Sequence, residues 1–425
     1  RVIQTRVTQS EPRHQRNYPD LSVWWTQAST PQQRLISVVN KQGDVMRVGA
    51  TIFCQNYADW DRYEAAERGE PVPVRPDTDD RSIFYEEIEI AKLADRSGFD
   101  SVWTIEHHFT PYTMVTNPLQ LLTYLAGVTD NVDLGTMVIV LPWHNPVRVA
   151  EDIAMLDALL GDRQIIAGVG RGLGRREYGG LGVDQNEARG RFDESIHILR
   201  ELLSTGACTF HGEHFQVDEV KLRPQLASDL SGALYCAAGS PETMAVIAKN
   251  DVKPLMIPTV SLDVTLQGAR EFMRLRSEAG LPPTDTKLAL WIYCAESEKE
   301  ARAGAERYMR EYADSALRHY EMTGTHFDGI RGYEGYAERA AALRSDPTPF
   351  LDGFFARHPW GTPKMVVEKI SELAEQFGTS EIMGVFRYGG MGHAEAARSM
   401  ALFAEQAMPE VQRLDPAPMS LTSVT

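Results

Sequence analysis

The sequence predicts an α/β fold of the (β/α)8 TIM barrel class, with an insertion after strand seven. Eight short runs rich in β-branched and apolar residues alternate with longer stretches of helical period, the signature of parallel strands joined by crossover helices. Several of those stretches open on a capping residue or a first-turn proline. Polar residues collect at the C-terminal ends of the runs, the face on which such barrels keep their chemistry. A doubly wound open sheet shares the alternation and stands as the alternative on pattern alone.

Taken in order, the first strand is Met46-Arg-Val-Gly-Ala-Thr-Ile-Phe53, where a polar, aperiodic segment gives way to a β-branched run. Met46 is a candidate natural start, and residues 1–45 read as an extension without a catalytic role. A helix over about 82–97 sets Phe84, Ile88, Ala91 and Ala94 on one face and stops at Gly98. Further strands read at Ser101–Ile105, Val132–Leu141, Gln164–Val169, Ala233–Ala238, Pro254–Ile257, Leu288–Cys294 and Ile382–Tyr388. Helices read at Pro146–Leu160 and Asn186–Ser204, and from Ser240-Pro241, the capping box Ser297-Glu-Lys-Glu300, Thr362-Pro363 and His393. Two pieces stand outside the repeat: a hairpin near Thr209–Val220 and an aromatic-rich, helix-poor insertion over 321–361. The barrel then spans 46–414, and 415–425 reads as a loose tail.

The formal charge of −16, from 43 basic and 59 acidic side chains, argues against a nucleic-acid partner, because phosphate backbones are held by clustered Lys and Arg. It leaves room for a phosphorylated cofactor, which one well-placed Arg and some backbone amides can hold. No apolar stretch is long enough to span a membrane, and the N-terminus lacks a signal-peptide pattern, so the expected location is cytoplasmic. Cys54, Cys208, Cys236 and Cys294 are scattered without a CxxC pair. They read as small buried hydrophobes rather than disulfide partners or zinc ligands.

The second strand ends in Glu106-His-His-Phe109, three polar groups that core packing does not require. Consecutive strand residues face opposite ways, so His107 and His108 do not easily share a metal. An acid–base histidine is the better functional reading, against a pair of structural imidazoles. The fourth strand runs into Gly168-Val-Gly-Arg-Gly-Leu-Gly174. This is no dinucleotide fingerprint, since residues 173 and 175 are Leu and Arg. The glycines still let backbone approach a phosphate, and Arg171 supplies a forked cation; the competing reading is a flexible turn with an exposed Arg. The fifth strand ends in Ala237-Ala-Gly-Ser-Pro-Glu242, setting Gly239 and Ser240 at a helix N-terminus where free amides attract phosphate. An ordinary N-cap would have the same sequence, but two anion sites on neighbouring strands support each other. The third strand, almost wholly apolar, reads as barrel core, and His211 and His214 as a solvated turn.

These strand ends, in this order, resemble the bacterial luciferase family of flavin-dependent monooxygenases. The matching pieces are the Met46-Arg-Val-Gly start, Glu106-His-His-Phe109, Gly135-Thr-Met-Val-Ile-Val-Leu-Pro142, Pro146-Val-Arg-Val-Ala-Glu-Asp152, Gly170-Arg-Gly-Leu173 and Ala238-Gly-Ser240. They cover about 46–260 well and the final strand and helix loosely. The resemblance implies reduced FMN delivered by a separate flavin reductase, O2 as co-substrate, and His107 as the catalytic imidazole. It also implies that Arg171 and the backbone at Gly239 and Ser240 hold the flavin phosphate, with Leu173 beside them. Met137–Val138 would be the site of a non-proline cis peptide beneath the flavin ring. Glu106 would orient the flavin or His107. The implied chemistry is attack of a flavin peroxide on a carbonyl, making an acid from an aldehyde or an ester from a ketone.

Two departures stand out. Residue 239 is Gly where the luciferase α subunit has Glu, and the insertion has no family counterpart, which leaves the substrate open. The insertion is read as a lid that keeps water from the site. A homodimer is expected through Asn117–Gly127 and Pro146–Leu160, whose small and apolar residues suit close helix packing. The rival readings are a deazaflavin (F420)-dependent dehydrogenase or reductase and a non-enzymatic flavin-binding subunit.

Overall fold

The structure, a computed structural model, describes residues 45–75, 78–237, 241–258, 261–326, 334–415 and 419. The extension at 1–44, and with it the expectation made for that segment, lies outside those residues.

Eight parallel strands carry the architecture: β1 Arg47–Ile52, β2 Ser101–Thr104, β3 Asp133–Thr136, β4 Ile165–Gly170, β5 Leu234–Ala237, β6 Lys253–Met256, β7 Thr286–Trp291 and β8 Thr379–Val385. Each bonds to the next, and β8 returns to β1 with Ile382 opposite Val48. The sheet is therefore a closed barrel, not an open doubly wound one, and closure leaves no edge to protect. Helices cover its outer face, so the strands run apolar along their whole length; all six residues of β7 are buried.

The end of the barrel where the strands begin is filled. Glu381 of β8, fully buried, accepts from Lys287 Nζ at 2.5 Å, from Trp103 Nε1 at 3.2 Å and from the Ser101 hydroxyl, with Arg47 Nε at 3.6 Å. Buried charges persist only when paired in this way. The Trp103 indole occupies the space beside Gly135, where a Cβ would come within 2.4 Å of the ring. Chemistry is left to the opposite end, where the strands finish.

The helix Asp80–Arg96 is capped by Asp79, which accepts from Ser82 N. Its buried stripe is Ile83, Glu87, Ile90, Ala91 and Ala94, so Phe84 and Ile88 are only partly covered. The expected face is rotated by one residue because Glu87 turns inward to accept from Phe53 N and to meet Arg387. Pro146–Leu160 begins where expected, with Asn145 as its cap. On that helix Val149, Ile153 and Leu156 are buried against the barrel, while Met155 and Leu159, one turn apart, stay exposed.

The hairpin forms, as Ala207–His211 and Gln216–Lys221. His211 is exposed, but His214 packs over Gly190 rather than standing in solvent. The insertion is not helix-poor. It holds Glu334–Ser345 and Thr348–Arg357, the first carrying the helix-forming run Ala337-Glu-Arg-Ala-Ala-Ala-Leu-Arg344. Phe327, Gly329, Gly332 and Tyr333 of that insertion lie outside the described residues. In the segment read as a loose tail, Met419 is buried against Gly378. All four cysteines are buried thiols. Among the described residues no helix is long and apolar enough to cross a membrane.

Candidate functional site

A cavity of about 280 Å³ lies where the strands end. Glu106 and His107 reach it from beyond β2, Met137 and Val138 from beyond β3, Arg171 and Leu173 from beyond β4. Six residues singled out in the sequence thus line one space. Gly239 and Ser240 lie outside the described residues, although Ala237 and Thr243 on either side of them reach the same cavity. Strand β3 stops at Thr136 and pairing resumes at Ile139–Val140; between them the Met137–Val138 peptide is cis.

His107 sits in a polar cluster that its sequence neighbours do not supply. Its Nδ1 lies 2.9 Å from Glu177 Oε1 and 3.2 Å from His319 Nε2, and its Nε2 lies 3.3 Å from the Tyr320 hydroxyl. Glu177 belongs to the short helix Arg175–Gly180, and its Oε1 also accepts from His108 N at 2.9 Å. Burial by itself would raise the Glu177 carboxyl; the imidazoles of His107 and His319 beside it outweigh burial and hold Glu177 well below the usual carboxylate range. His319, at the end of the helix Glu298–His319, is pushed down to about 4 by burial despite Glu177 beside it. It is a neutral imidazole whose Nδ1 lies 2.7 Å from Thr110 Oγ1. His107 Nδ1 thus faces the ionised Glu177 carboxylate, and its Nε2 faces Tyr320, which also lines the cavity.

Glu106 lines the same cavity. It makes no hydrogen bond to His107. Its Oε2 accepts from Val140 N at 2.7 Å, while Oε1 lies 2.6 Å from His144 Nε2 and 3.3 Å from His108 Nε2. Burial would raise this carboxyl, but its histidine and backbone partners lower it. His144 is raised in turn, because the hydrogen bond and charge of Glu106 outweigh burial. Glu106 thus braces the chain just beyond Met137 and Val138, at Val140.

A second, cationic corner forms around Arg171. Arg189, on the helix Ala188–Thr205, reaches Thr243 Oγ1 at 3.3 Å. Arg189 also pairs with Asp193 at 3.7 Å; burial raises that carboxyl, and Arg189 and Arg171 act against the rise. Thr243 is the third residue of the helix Pro241–Lys249 and lines the cavity together with Arg171. Gly172, at φ 77°, brings backbone close to Val140; a Cβ there would meet Val140 Cγ1 at 2.6 Å.

Much of the remaining wall is apolar and aromatic: Trp291, Tyr312 and Leu317, with Met322, Phe350 and Phe354 from the insertion. Phe355 and Trp360 of the same insertion stack on each other at 4.9 Å and do not line the cavity. Sequence reasoning missed Glu177, His319, Tyr320, Arg189, Thr243 and His144. Glu177, His319, Arg189 and Thr243 sit within helices, and Tyr320 and His144 each directly follow one, where a polar residue reads as solvated surface.

Residues 71–381 match the family model described as luciferase-like monooxygenase. The chain is 25% identical over 331 residues to the alkanal monooxygenase alpha chain of Photorhabdus luminescens, covering 76% of this chain and 90% of that one. It is 26% identical over 343 residues to the oxygenase component of the flavin-dependent trigonelline monooxygenase of Acinetobacter baylyi, covering 77% and 90%. In fold it is similar to a monooxygenase from Streptomyces bottropensis, with TM-score 0.68 and 23% identity over 86% of this chain and 99% of that one. An F420-dependent secondary alcohol dehydrogenase gives TM-score 0.61 and 16% identity over 86% and 99%. At these identities the two solved structures speak to the fold alone.

Proposed function

The chain belongs to the luciferase-like monooxygenase family and is an enzyme of that type, and on that premise we propose that it uses reduced FMN and O2 to oxygenate a small carbonyl compound, an aldehyde or a ketone. The observation that carries this reading is the setting of His107 in the cavity wall: Nδ1 held by Glu177, Nε2 beside the Tyr320 hydroxyl. The residues present fit the cofactor. Arg171, Arg189 and Thr243 offer charge-assisted donors suited to a phosphate, while Met137, Val138 and Val140 offer a flat apolar wall suited to a ring. Bound reduced flavin supplies the activation of O2. The chain supplies the rest.

His107 Nε2 accepts or returns a proton at the reacting oxygen, with the tautomer kept by Glu177. Tyr320 hydrogen-bonds the same nitrogen or a substrate oxygen beside it. Phe350 and Phe354 exclude water from this space and make the insertion a lid, closing over the bound reactants. Reduced flavin comes from a separate reductase, and the working unit is a homodimer; Met155 and Leu159 are the exposed apolar residues on the helix expected at its interface.

The test is direct. Purified chain is mixed with reduced FMN or reduced deazaflavin, in air and without oxygen, over a panel of aldehydes, ketones, alcohols and neutral arenes. One oxygen atom from O2 in the product, with FMN only, supports the reading. Oxygen-independent hydride transfer from the deazaflavin would replace it with the dehydrogenase.

A further inference from the structure

We infer that His107, Glu177 and His319 form a binding site for a divalent transition metal of the zinc class. Three separate elements each bring one ligand atom: the loop after β2, the short helix after β4 and the last turn of the long helix after β7. The separations are 2.9 Å from His107 Nδ1 to Glu177 Oε1, 3.2 Å from His107 Nδ1 to His319 Nε2, and 3.5 Å from His319 Nε2 to Glu177 Oε1. Bonds of about 2.0–2.2 Å around a tetrahedral ion set its ligand atoms roughly 3.3–3.6 Å apart. Two edges already lie at or near that length, and the shortest needs only a slight opening.

A second observation comes from the carboxylate itself. Glu177 is 1% exposed, yet its Oε2 has no hydrogen-bond partner among the described residues. Half of a buried carboxylate is left uncompensated, which a cation beside Oε1 would correct. The outer nitrogens are already held as metal-bound imidazoles are: His319 Nδ1 by Thr110 Oγ1 at 2.7 Å and His107 Nε2 by the Tyr320 hydroxyl at 3.3 Å. Two imidazoles and one carboxylate with an open position suit zinc, cobalt or nickel; calcium and magnesium prefer all-oxygen sets.

The ion takes the Nδ1 lone pair of His107, so Nε2 keeps its proton and cannot accept one from the cavity. Metal occupancy and acid–base work exclude each other. That consequence rests on the function proposed above; the site itself does not.

Binding is therefore measured without flavin. Co2+ and Zn2+ are titrated into metal-stripped full-length protein, followed by calorimetry and by the visible Co2+ bands of a tetrahedral site. One equivalent should bind, and Glu177→Gln and His319→Gln should each weaken it tenfold or more, while His211→Ala leaves it unchanged. X-ray absorption of the zinc-loaded wild-type chain should show a four-coordinate nitrogen and oxygen shell with two imidazoles, which requires no variant to fold. An all-oxygen six-coordinate shell, or binding that survives both substitutions, would overturn the site.

Discussion

Glu177 Oε1 lies 2.9 Å from His107 Nδ1, though the two residues are 70 positions apart and sit beyond different strands. This contact, rather than either neighbour in Glu106-His107-His108, orients the imidazole toward the cavity. Glu177→Gln keeps the shape but removes the ionised acceptor, so product formation should fall by ~10–10²-fold, the usual weight of an orienting partner. Reduced-FMN binding should stay within about twofold. A variant as fast as wild type would show that His107 needs no orientation.

His107→Ala should lower product formation by ~10²–10⁴-fold and leave the FMN dissociation constant nearly unchanged. His108→Ala should cost far less, since its ring faces Glu106 and Trp143 instead of His107. Single-turnover measurements on both variants separate the pair; the reverse order would move the catalytic role to His108.

Arg171→Ala and Arg189→Ala should each weaken reduced-FMN binding by about tenfold or more, because each charge-assisted hydrogen bond is worth ~1.5–3 kcal/mol. Riboflavin, which lacks the phosphate, should bind both variants as it binds wild type. If riboflavin binding falls in parallel, the two guanidinium groups touch the ring or the fold and not the phosphate.

Burial pushes the Glu87 carboxyl up to about 7, against the opposing pull of Arg387 and the Phe53 amide. A raised carboxyl favours the protonated folded form, so its contribution is complete below the ordinary value of 4.5 and is lost as pH rises through about 7. The loss amounts to about 3 kcal/mol. Urea midpoints at pH ~5 and ~8 should show this decline in the wild type and a flatter profile in Glu87→Gln. Equal slopes in the two proteins would assign the pH dependence elsewhere.

Met155 and Leu159 are 46% and 58% exposed on the helix Pro146–Leu160. Light scattering at micromolar concentration should give twice the chain mass, and Met155→Glu with Leu159→Glu should halve it. A single-chain mass for the wild type would leave these residues as plain surface.

The barrel was legible in the sequence because its signals are local. A covered parallel strand must be apolar over its whole length, and a helix must announce its start, as Asn145, Ser297 and Thr362-Pro363 do. Glu106, His107 and Arg171 were legible for the same reason: a strand of fixed direction ends at a known face, so polar residues at its tip need no further information to be suspected. The rotation of Glu87, the helices of the insertion and the buried Met419 depend on distant partners. So does the centre of the site. Nothing in the local pattern of Arg175–Gly180 distinguishes Glu177 from a solvated acid, and nothing near His319 marks it as buried. They become functional candidates only when closure of eight strands brings the loops after β2, β4 and β7 to one rim, because a barrel places consecutive strand ends side by side whatever their separation along the chain.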